Sequence, residues 1–160
     1  AQNYNHQDYD KVIFSYHGLP NSQVNKVYDD NLCDGKNCEH EVNAENYYCY
    51  KSAVYETSKL IAEKLSLPSD KYEVTFQSRL TNNWLEPFSD EVLKRYPEQG
   101  IKKVLVFSPA FTADCLETVI EIGEEYKELF IDAGGHTLDY VPSLNFSDAW
   151  VQAIIDIVDN

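Results

Sequence analysis

The feature that most constrains this chain is a fourfold alternation of short apolar runs with segments of helical periodicity. The apolar runs are rich in β-branched and aromatic residues, so they predict buried strands. The segments between them place apolar residues three or four apart, which predicts helices. This alternation predicts an α/β fold, because right-handed crossovers give a four-stranded parallel sheet with helices on both faces. The predicted strands lie within residues 10–20, 72–78, 104–107 and 136–142, and the predicted helices cover 43–65, 89–96, 114–133 and a last segment capped by Asn145 or Ser147.

The length and composition predict a single domain spanning residues 1–160. A chain of 160 residues can bury a substantial core, and 43% hydrophobic with 25% charged residues is typical of a soluble globular protein. No stretch is long and apolar enough to cross a bilayer, and the first residues lack the pattern of a secretion signal. We therefore expect a cytoplasmic protein, and a peripheral membrane contact stays open.

The charge balance argues against nucleic acid as a partner. The chain has 13 basic and 27 acidic residues and a formal charge of −14, which repels a phosphate backbone. Cations are the expected partners of such a surface. The chain also has no methionine, even at its first position, which indicates a piece of something longer.

Acidic residues follow the third predicted strand at helical spacing. Asp114, Glu117, Glu121 and Glu125 are three or four residues apart, which predicts that they share one face of a helix. Carboxylates so close together are balanced by protons or cations when they line a cleft. The pattern therefore indicates a path for metal ions or protons. A solvent-facing helix with acids near its N-terminus explains it equally well.

His17 ends the first predicted strand, just before a Gly and Pro pair that breaks it. Sites in open α/β sheets form at the carboxyl ends of strands, and we expect the first and third strands to be neighbours. That placement brings His17 toward Asp114, Cys115 and Glu117. An imidazole there can act as a base or a metal ligand, although a lone histidine is more often structural.

Residues 21–43 are polar, show little periodicity and predict a long loop or flap. Loops of this length are uncommon in compact domains and are usually lids, binding loops or disordered segments. This flap contains Cys33 and Cys38, and Cys49 follows near the start of the next predicted helix.

Five motifs occur in the order seen in ferrochelatases, and over nearly its whole length the chain resembles the carboxyl-terminal half of that family. The resemblance implies two similar Rossmann-like halves that hold a porphyrin in the cleft between them. It also implies insertion of ferrous iron into protoporphyrin IX or coproporphyrin III with release of two protons. The Asp-Cys-Leu-Glu-Thr form resembles the bacterial protoporphyrin-using members. The motifs are FSYHGLP at 14–20, TFQSR at 75–79, WLEP at 84–87, FTADCLET at 111–118 and DAGG at 132–135.

The resemblance also implies roles for individual residues. His17 corresponds to the family's active-site histidine, assigned either to proton abstraction from the pyrroles or to iron binding. Glu117 corresponds to its partner glutamate, and Glu121 with Glu125 to an acidic, metal-binding path that leads from the pocket. Three further residues, Ser78, Trp84 and Phe111, match positions around the porphyrin pocket.

The chemistry of metal insertion agrees with these roles. The two inner N–H groups of a porphyrin are lost as a dication enters, so the site needs a proton acceptor and must hold the metal over the ring. A flat apolar macrocycle also needs apolar walls. Tyr16, Trp84 and Phe111 are candidates for those walls, although aromatic residues beside strands are more often core.

The missing half leads us to expect that this chain alone binds porphyrin poorly and has little chelatase activity. Its expected partner is the amino-terminal half of the same enzyme. A homodimer is the alternative, because small members of the wider class II chelatase superfamily pair two identical halves. The other functions left open are a chelatase for another metal and tetrapyrrole, such as cobalt and a corrinoid precursor, and a non-catalytic metal- or haem-binding module.

The cysteines raise the question of a cofactor. Cys33, Cys38 and Cys49 lie where some bacterial ferrochelatases carry ligands of an iron–sulfur cluster, which makes a [2Fe–2S] cluster a candidate. Such clusters normally take four thiolates, and only three are local. Cys115 belongs to the acidic motif and is a poor candidate for the fourth. Thiols without a ligand are the alternative.

Overall fold

The structure, a computed structural model that describes residues 4–29, 33 and 36–159, has one parallel sheet of four strands in the order β2-β1-β3-β4. This confirms the predicted α/β fold and the pairing of the first strand with the third. In the register of the sheet, His17 lies beside Gln77 and Phe14 beside Phe107. The strands are β1 (Lys11–His17), β2 (Tyr72–Gln77), β3 (Lys103–Phe107) and β4 (Thr137–Tyr140).

Helices cover both faces of this sheet. The α-helices are α1 (Asn21–Val24), α2 (Tyr50–Leu65), α3 (Ser89–Arg95), α4 (Leu116–Val119), α5 (Lys127–Asp132) and α6 (Asp148–Val158). Short 3₁₀ turns lie at His6–Asp8, Asn25–Val27, Ser69–Lys71 and Tyr96–Gln99.

Residues of β1 alternate between two apolar clusters. Val12, Phe14 and Tyr16 pack into the cluster that contains α2 residues, whereas Ile13 packs into the cluster on the α3 and α5 side. Five consecutive residues of β1 are buried, because a central parallel strand is covered on both faces. The two clusters make the sheet the middle layer of a three-layer sandwich.

The acidic helix differs from its prediction. The sequence predicted one regular helix over residues 114–133, but the structure begins α4 at Leu116 and inserts a π-helical segment, Glu121–Tyr126, before α5. In this segment the N–H of Glu125 donates to the carbonyl of Ile120 at 2.9 Å, five residues back. This hydrogen bond widens the turn, so the phase of the helix shifts between Glu117 and Glu125. Gly134 ends the helix with a φ of 99°, which favours glycine.

The flap and the start of α2 also differ in part. The predicted flap, residues 21–43, begins with α1 and a 3₁₀ turn, and its residues 30–32, 34 and 35 lie outside the described residues. α2 begins at Tyr50 rather than near residue 43. The side chain of Asn43 accepts hydrogen bonds from the N–H groups of Glu45 and Asn46, which closes a turn there instead of a helix.

α6 packs differently from the other long helix. It has no buried residue, whereas α2 has four. Phe146, just before it, is 90% exposed. Within the described residues, no helix is long and apolar enough to span a membrane. The exposed apolar side chains of this region are Leu144, Phe146, Val151, Ile154, Ile155, Ile157 and Val158.

Candidate active site

His17 is held at the carboxyl end of β1 with one ring nitrogen engaged. Its Nδ1 lies 2.7 Å from the carbonyl oxygen of Gly18, and because a carbonyl only accepts, Nδ1 carries the hydrogen. The hydroxyl of Tyr50, at the start of α2, donates to the carbonyl of His17 at 2.8 Å. Nε2 is therefore the nitrogen that can accept a proton or bind a cation.

Two aromatic rings flank the imidazole. The ring of Trp84 lies 6.3 Å from that of His17 and the ring of Phe111 lies 6.4 Å from it, measured between centroids. A backbone hydrogen bond between Leu85 and Leu19 fixes the tryptophan loop against the segment after β1. Gly18 is needed for this approach, since a Cβ there would lie 3.2 Å from the Trp84 ring.

Glu117 lies in the first turn of α4, close enough to His17 for their charges to interact. Hydrogen bonds from its own backbone N–H and from the Cys115 side chain lower the pKa of its carboxyl, and attraction to His17 lowers it further. The two side chains are therefore within reach of each other's charge, although they come from segments one hundred residues apart in sequence. A carboxylate next to an imidazole stabilises the imidazolium that forms when the ring takes a proton.

Glu121, one turn beyond, is surrounded by donors. Its carboxylate accepts from the backbone N–H of Ser78 at 2.8 Å, from the hydroxyl of Ser78, from the hydroxyl of Tyr126 at 2.7 Å and from Nε2 of Gln77 at 3.3 Å. Ser78 has a φ of 60°, which turns its N–H and its side chain toward the same carboxylate. This network fixes the π-helical segment to the end of β2.

Gln77 is the site residue that the sequence reasoning missed. It is 1% exposed, accepts a hydrogen bond from the Ser15 hydroxyl at 2.8 Å and donates to the backbone carbonyl of Glu117 at 2.7 Å. It therefore connects the turn that carries Glu117 with the carboxylate of Glu121. The available signal was a long polar residue at the carboxyl end of a predicted strand, where sites form in open α/β sheets.

Asp114 does not belong to the acidic face. It precedes α4, and its carboxylate accepts hydrogen bonds from the backbone N–H of Ser143, from Nδ2 of Asn145 and from the hydroxyl of Tyr140. Partial burial acts to raise its pKa, but these hydrogen bonds outweigh burial and lower it to about 2. Asp114 joins two loops at the carboxyl edge of the sheet.

Two other predicted residues lie away from the imidazole. Tyr16 is 1% exposed and its hydroxyl lies 2.8 Å from that of Ser58 on α2, so the structure makes it a core residue and removes it from the predicted pocket wall. This follows from the alternation of a strand, which points consecutive side chains to opposite faces. Glu125 is exposed on the outer side of the helix, beside Glu128 and Lys94.

The thiols of Cys33, Cys38 and Cys49 form a second cluster. Their sulfur atoms all lie within 4.8 Å of one another. Cys33 and Cys38 also line a cavity of about 700 Å³ on the flap side of Trp84, which His17 and Glu117 do not line. Cys115 is the residue that precedes α4 at the other site.

A family model described as ferrochelatase matches residues 1–160. The chain belongs to the ferrochelatase family. This confirms the family that the five motifs predicted.

Named ferrochelatases are similar along the whole chain. The chain is 39% identical to the ferrochelatase of Pseudomonas entomophila over 164 residues, which covers 100% of this chain and 49% of the relative. It is 42% identical to the ferrochelatase of Coxiella burnetii over 155 residues, covering 96% of this chain and 44% of the relative. The chain thus spans about half the length of the ferrochelatases it matches.

Among solved structures, a similar fold is found in a CbiX protein from Marinobacter aquaeolei assigned to cobalamin (vitamin B12) biosynthesis. The TM-score is 0.50 at 17% sequence identity, and the match covers 93% of each chain. This likeness shows that the two chains share a fold.

Proposed function

We propose that this chain is the carboxyl-terminal half of a ferrochelatase that inserts Fe²⁺ into protoporphyrin IX. The observation that carries the proposal is the placement of His17 within charge range of Glu117 and beside the rings of Trp84 and Phe111, in a chain that belongs to this family. This arrangement offers a base, an anion and two apolar surfaces at one edge of the sheet.

The proposed chemistry assigns the two side chains different roles. Metal insertion removes two protons from the porphyrin nitrogens, and Nε2 of His17 accepts a proton, since Nδ1 already carries one. The lowered pKa of Glu117 keeps its carboxylate charged. That carboxylate stabilises the imidazolium and attracts the incoming Fe²⁺, which is the substrate of the reaction.

We further propose that Glu117, Glu121 and Glu125 form the route by which iron approaches or protons leave. They lie in that order along the helix, from the residue beside His17 to an exposed position on its outer side. Glu121 is the fixed middle position, because four donors hold its carboxylate. Oxygen ligands suit both a hydrated divalent cation and a proton in transit.

The porphyrin wall in this proposal consists of Trp84 and Phe111. Both rings are half-buried beside the imidazole, which leaves apolar surface for a flat macrocycle. Ser78 supports the site indirectly, since both its N–H and its hydroxyl donate hydrogen bonds to the carboxylate of Glu121.

The proposed partner is the amino-terminal half of the same enzyme. The chain spans about half the length of its relatives, and its α6 region exposes a row of apolar side chains that a second half would cover. We also propose that the protein lies in the cytoplasm, and fractionation of cells would test this location directly.

The function is tested by following the loss of porphyrin fluorescence as Fe²⁺ is inserted. The 160-residue chain is compared with a protein that also carries the amino-terminal half, using protoporphyrin IX and coproporphyrin III. We expect rapid insertion into protoporphyrin IX by the two-half protein and little by the chain alone. Full activity of the chain as a homodimer would replace the proposed partner. Insertion of cobalt into a corrinoid precursor instead of iron, or binding without insertion, would replace the proposed reaction.

A further inference from the structure

We propose that Cys33, Cys38 and Cys49 bind a single Zn²⁺ ion that fixes the flap to the start of α2. The three sulfur atoms lie within 4.8 Å of one another. Cys38 is 4% exposed and Cys49 is fully buried, while Cys33 is half-buried at the edge of the cavity beside the flap. Three thiols from two separate segments therefore converge on one point with one open side.

The distances between the three sulfur atoms match those between ligands of a single ion. A Zn–S bond of about 2.3 Å and a tetrahedral angle place two thiolates on the same ion about 3.8 Å apart. A group already confined within 4.8 Å reaches that geometry by small rotations of its side chains. The cavity next to Cys33 and Cys38 gives water access to the fourth coordination position.

A [2Fe–2S] cluster does not fit this set of residues. Such a cluster takes four protein ligands shared between two irons, and thiolates on different irons are farther apart than thiolates on one ion. Three of the four cysteines of the chain form one compact group. The fourth, Cys115, precedes α4 and contacts Glu117 at the other site.

A dication suits three thiols held this close. Thiols bind a metal ion as thiolates, so binding releases their protons, and the charge of the ion offsets that of the thiolates.

Neighbouring groups already hold the thiols in place. The hydroxyl of Tyr28 lies 2.8 Å from the sulfur of Cys38, and the N–H of Cys33 donates to the side chain of Asn25 at 3.3 Å. Cys49 is the residue immediately before α2, so the helix fixes where its backbone lies. Supporting contacts of this kind orient the ligands of metal sites.

The proposed ion would stabilise the flap next to the imidazole. Tyr50, which follows Cys49, donates to the carbonyl of His17 at 2.8 Å. The cavity lined by Cys33 and Cys38 extends to Trp84. The flap and the start of α2 would thus be linked through one ion, next to the cavity that Trp84 lines, whatever reaction the neighbouring site performs.

The test is a metal and sulfide analysis of the protein purified anaerobically under reducing conditions. We expect about one zinc ion per chain and no acid-labile sulfide. Cys33→Ser, Cys38→Ser and Cys49→Ser should each lose the zinc, whereas the matched control Cys115→Ser should keep it. Replacement by Co²⁺ should give the strong thiolate charge-transfer absorption of a sulfur-rich site in the wild type and in Cys115→Ser.

Two results would overturn the proposal. The first is about two irons with two labile sulfides per chain, which would show a cluster. The second is a wild-type protein that contains no metal and, on addition of Co²⁺, gives no thiolate absorption although its thiols are reduced. Neither result depends on chelatase activity, so this experiment tests the zinc site independently of the proposed function.

Discussion

The first turn of α4 and the π-helical segment after it carry carboxylates in opposite situations. Glu117 is half-buried, and its hydrogen bonds come from its own N–H and from Cys115. Glu121 accepts from four donors that belong to β2, to the residue after it and to Tyr126. The comparison shows that two carboxylates on one acidic segment differ in how firmly they are held. Glu117, with few partners, is available to the imidazole, whereas Glu121, with many, is held in place.

The largest expected effect is on catalysis at Glu117. In the two-half protein, Glu117→Gln should lower kcat for iron insertion by about 10²-fold or more, because the amide carries no charge to stabilise an imidazolium or attract Fe²⁺. The free energy of unfolding should change little, since the carboxylate has no tertiary partner comparable to those of Glu121. Glu128→Gln, an exposed acid farther along the helix, is the matched control and should keep wild-type kcat. A Glu117→Gln protein as active as this control would contradict the catalytic role proposed for the Glu117 carboxylate.

Glu121→Gln should instead act mainly on stability. An amide offers one acceptor where the carboxylate offered two, so the free energy of unfolding should fall by about 1.5–3 kcal/mol, measured by urea denaturation. Tyr126→Phe removes a single donor and should cost less. If Glu121→Gln left stability unchanged, the π-helical segment would not depend on this network.

Gln77 contacts both Glu117 and Glu121, so its substitution should affect both residues. Gln77→Leu keeps the volume but leaves the Ser15 hydroxyl and the Glu117 carbonyl without this partner, which should destabilise the protein by about 1–3 kcal/mol. Activity should fall as well, since the turn that carries Glu117 loses its support. The exposed Gln99→Leu serves as the control in both measurements. Equal stability of the two variants would contradict the role given to Gln77.

The smallest effect is expected at Asp114. Its pKa of about 2 lies below the ordinary value of 3.8, so the native state favours the charged form. The resulting stability is complete above pH 4 and is lost as the pH falls toward 2. Asp114→Asn should cost about 1 kcal/mol or less at neutral pH, because solvent screens this exposed group, and the difference should vanish as the pH falls below 2. A difference that grew on acidification would have the wrong sign.

The sequence predicted the parallel sheet and the pairing of its first and third strands because alternating strands and helices leave few ways to connect such a sheet. Regular spacing could not predict the break in the acidic helix, since the widened turn accompanies a contact between Glu121 and Ser78 from another element. Gln77 was missed for a similar reason, because its importance comes from contacts with Ser15 and Glu117. Local patterns thus predicted the elements, whereas contacts between elements define the site.

The most direct test of the account measures porphyrin binding and iron insertion by His17→Ala in the two-half protein. We expect protoporphyrin IX to bind with an affinity within a few-fold of wild type, because Trp84 and Phe111 remain, and insertion to fall by about 10²-fold or more. His136→Ala, at an exposed position at the opposite edge of the sheet, should retain both. Wild-type insertion by His17→Ala would contradict the central claim that this imidazole accepts a porphyrin proton.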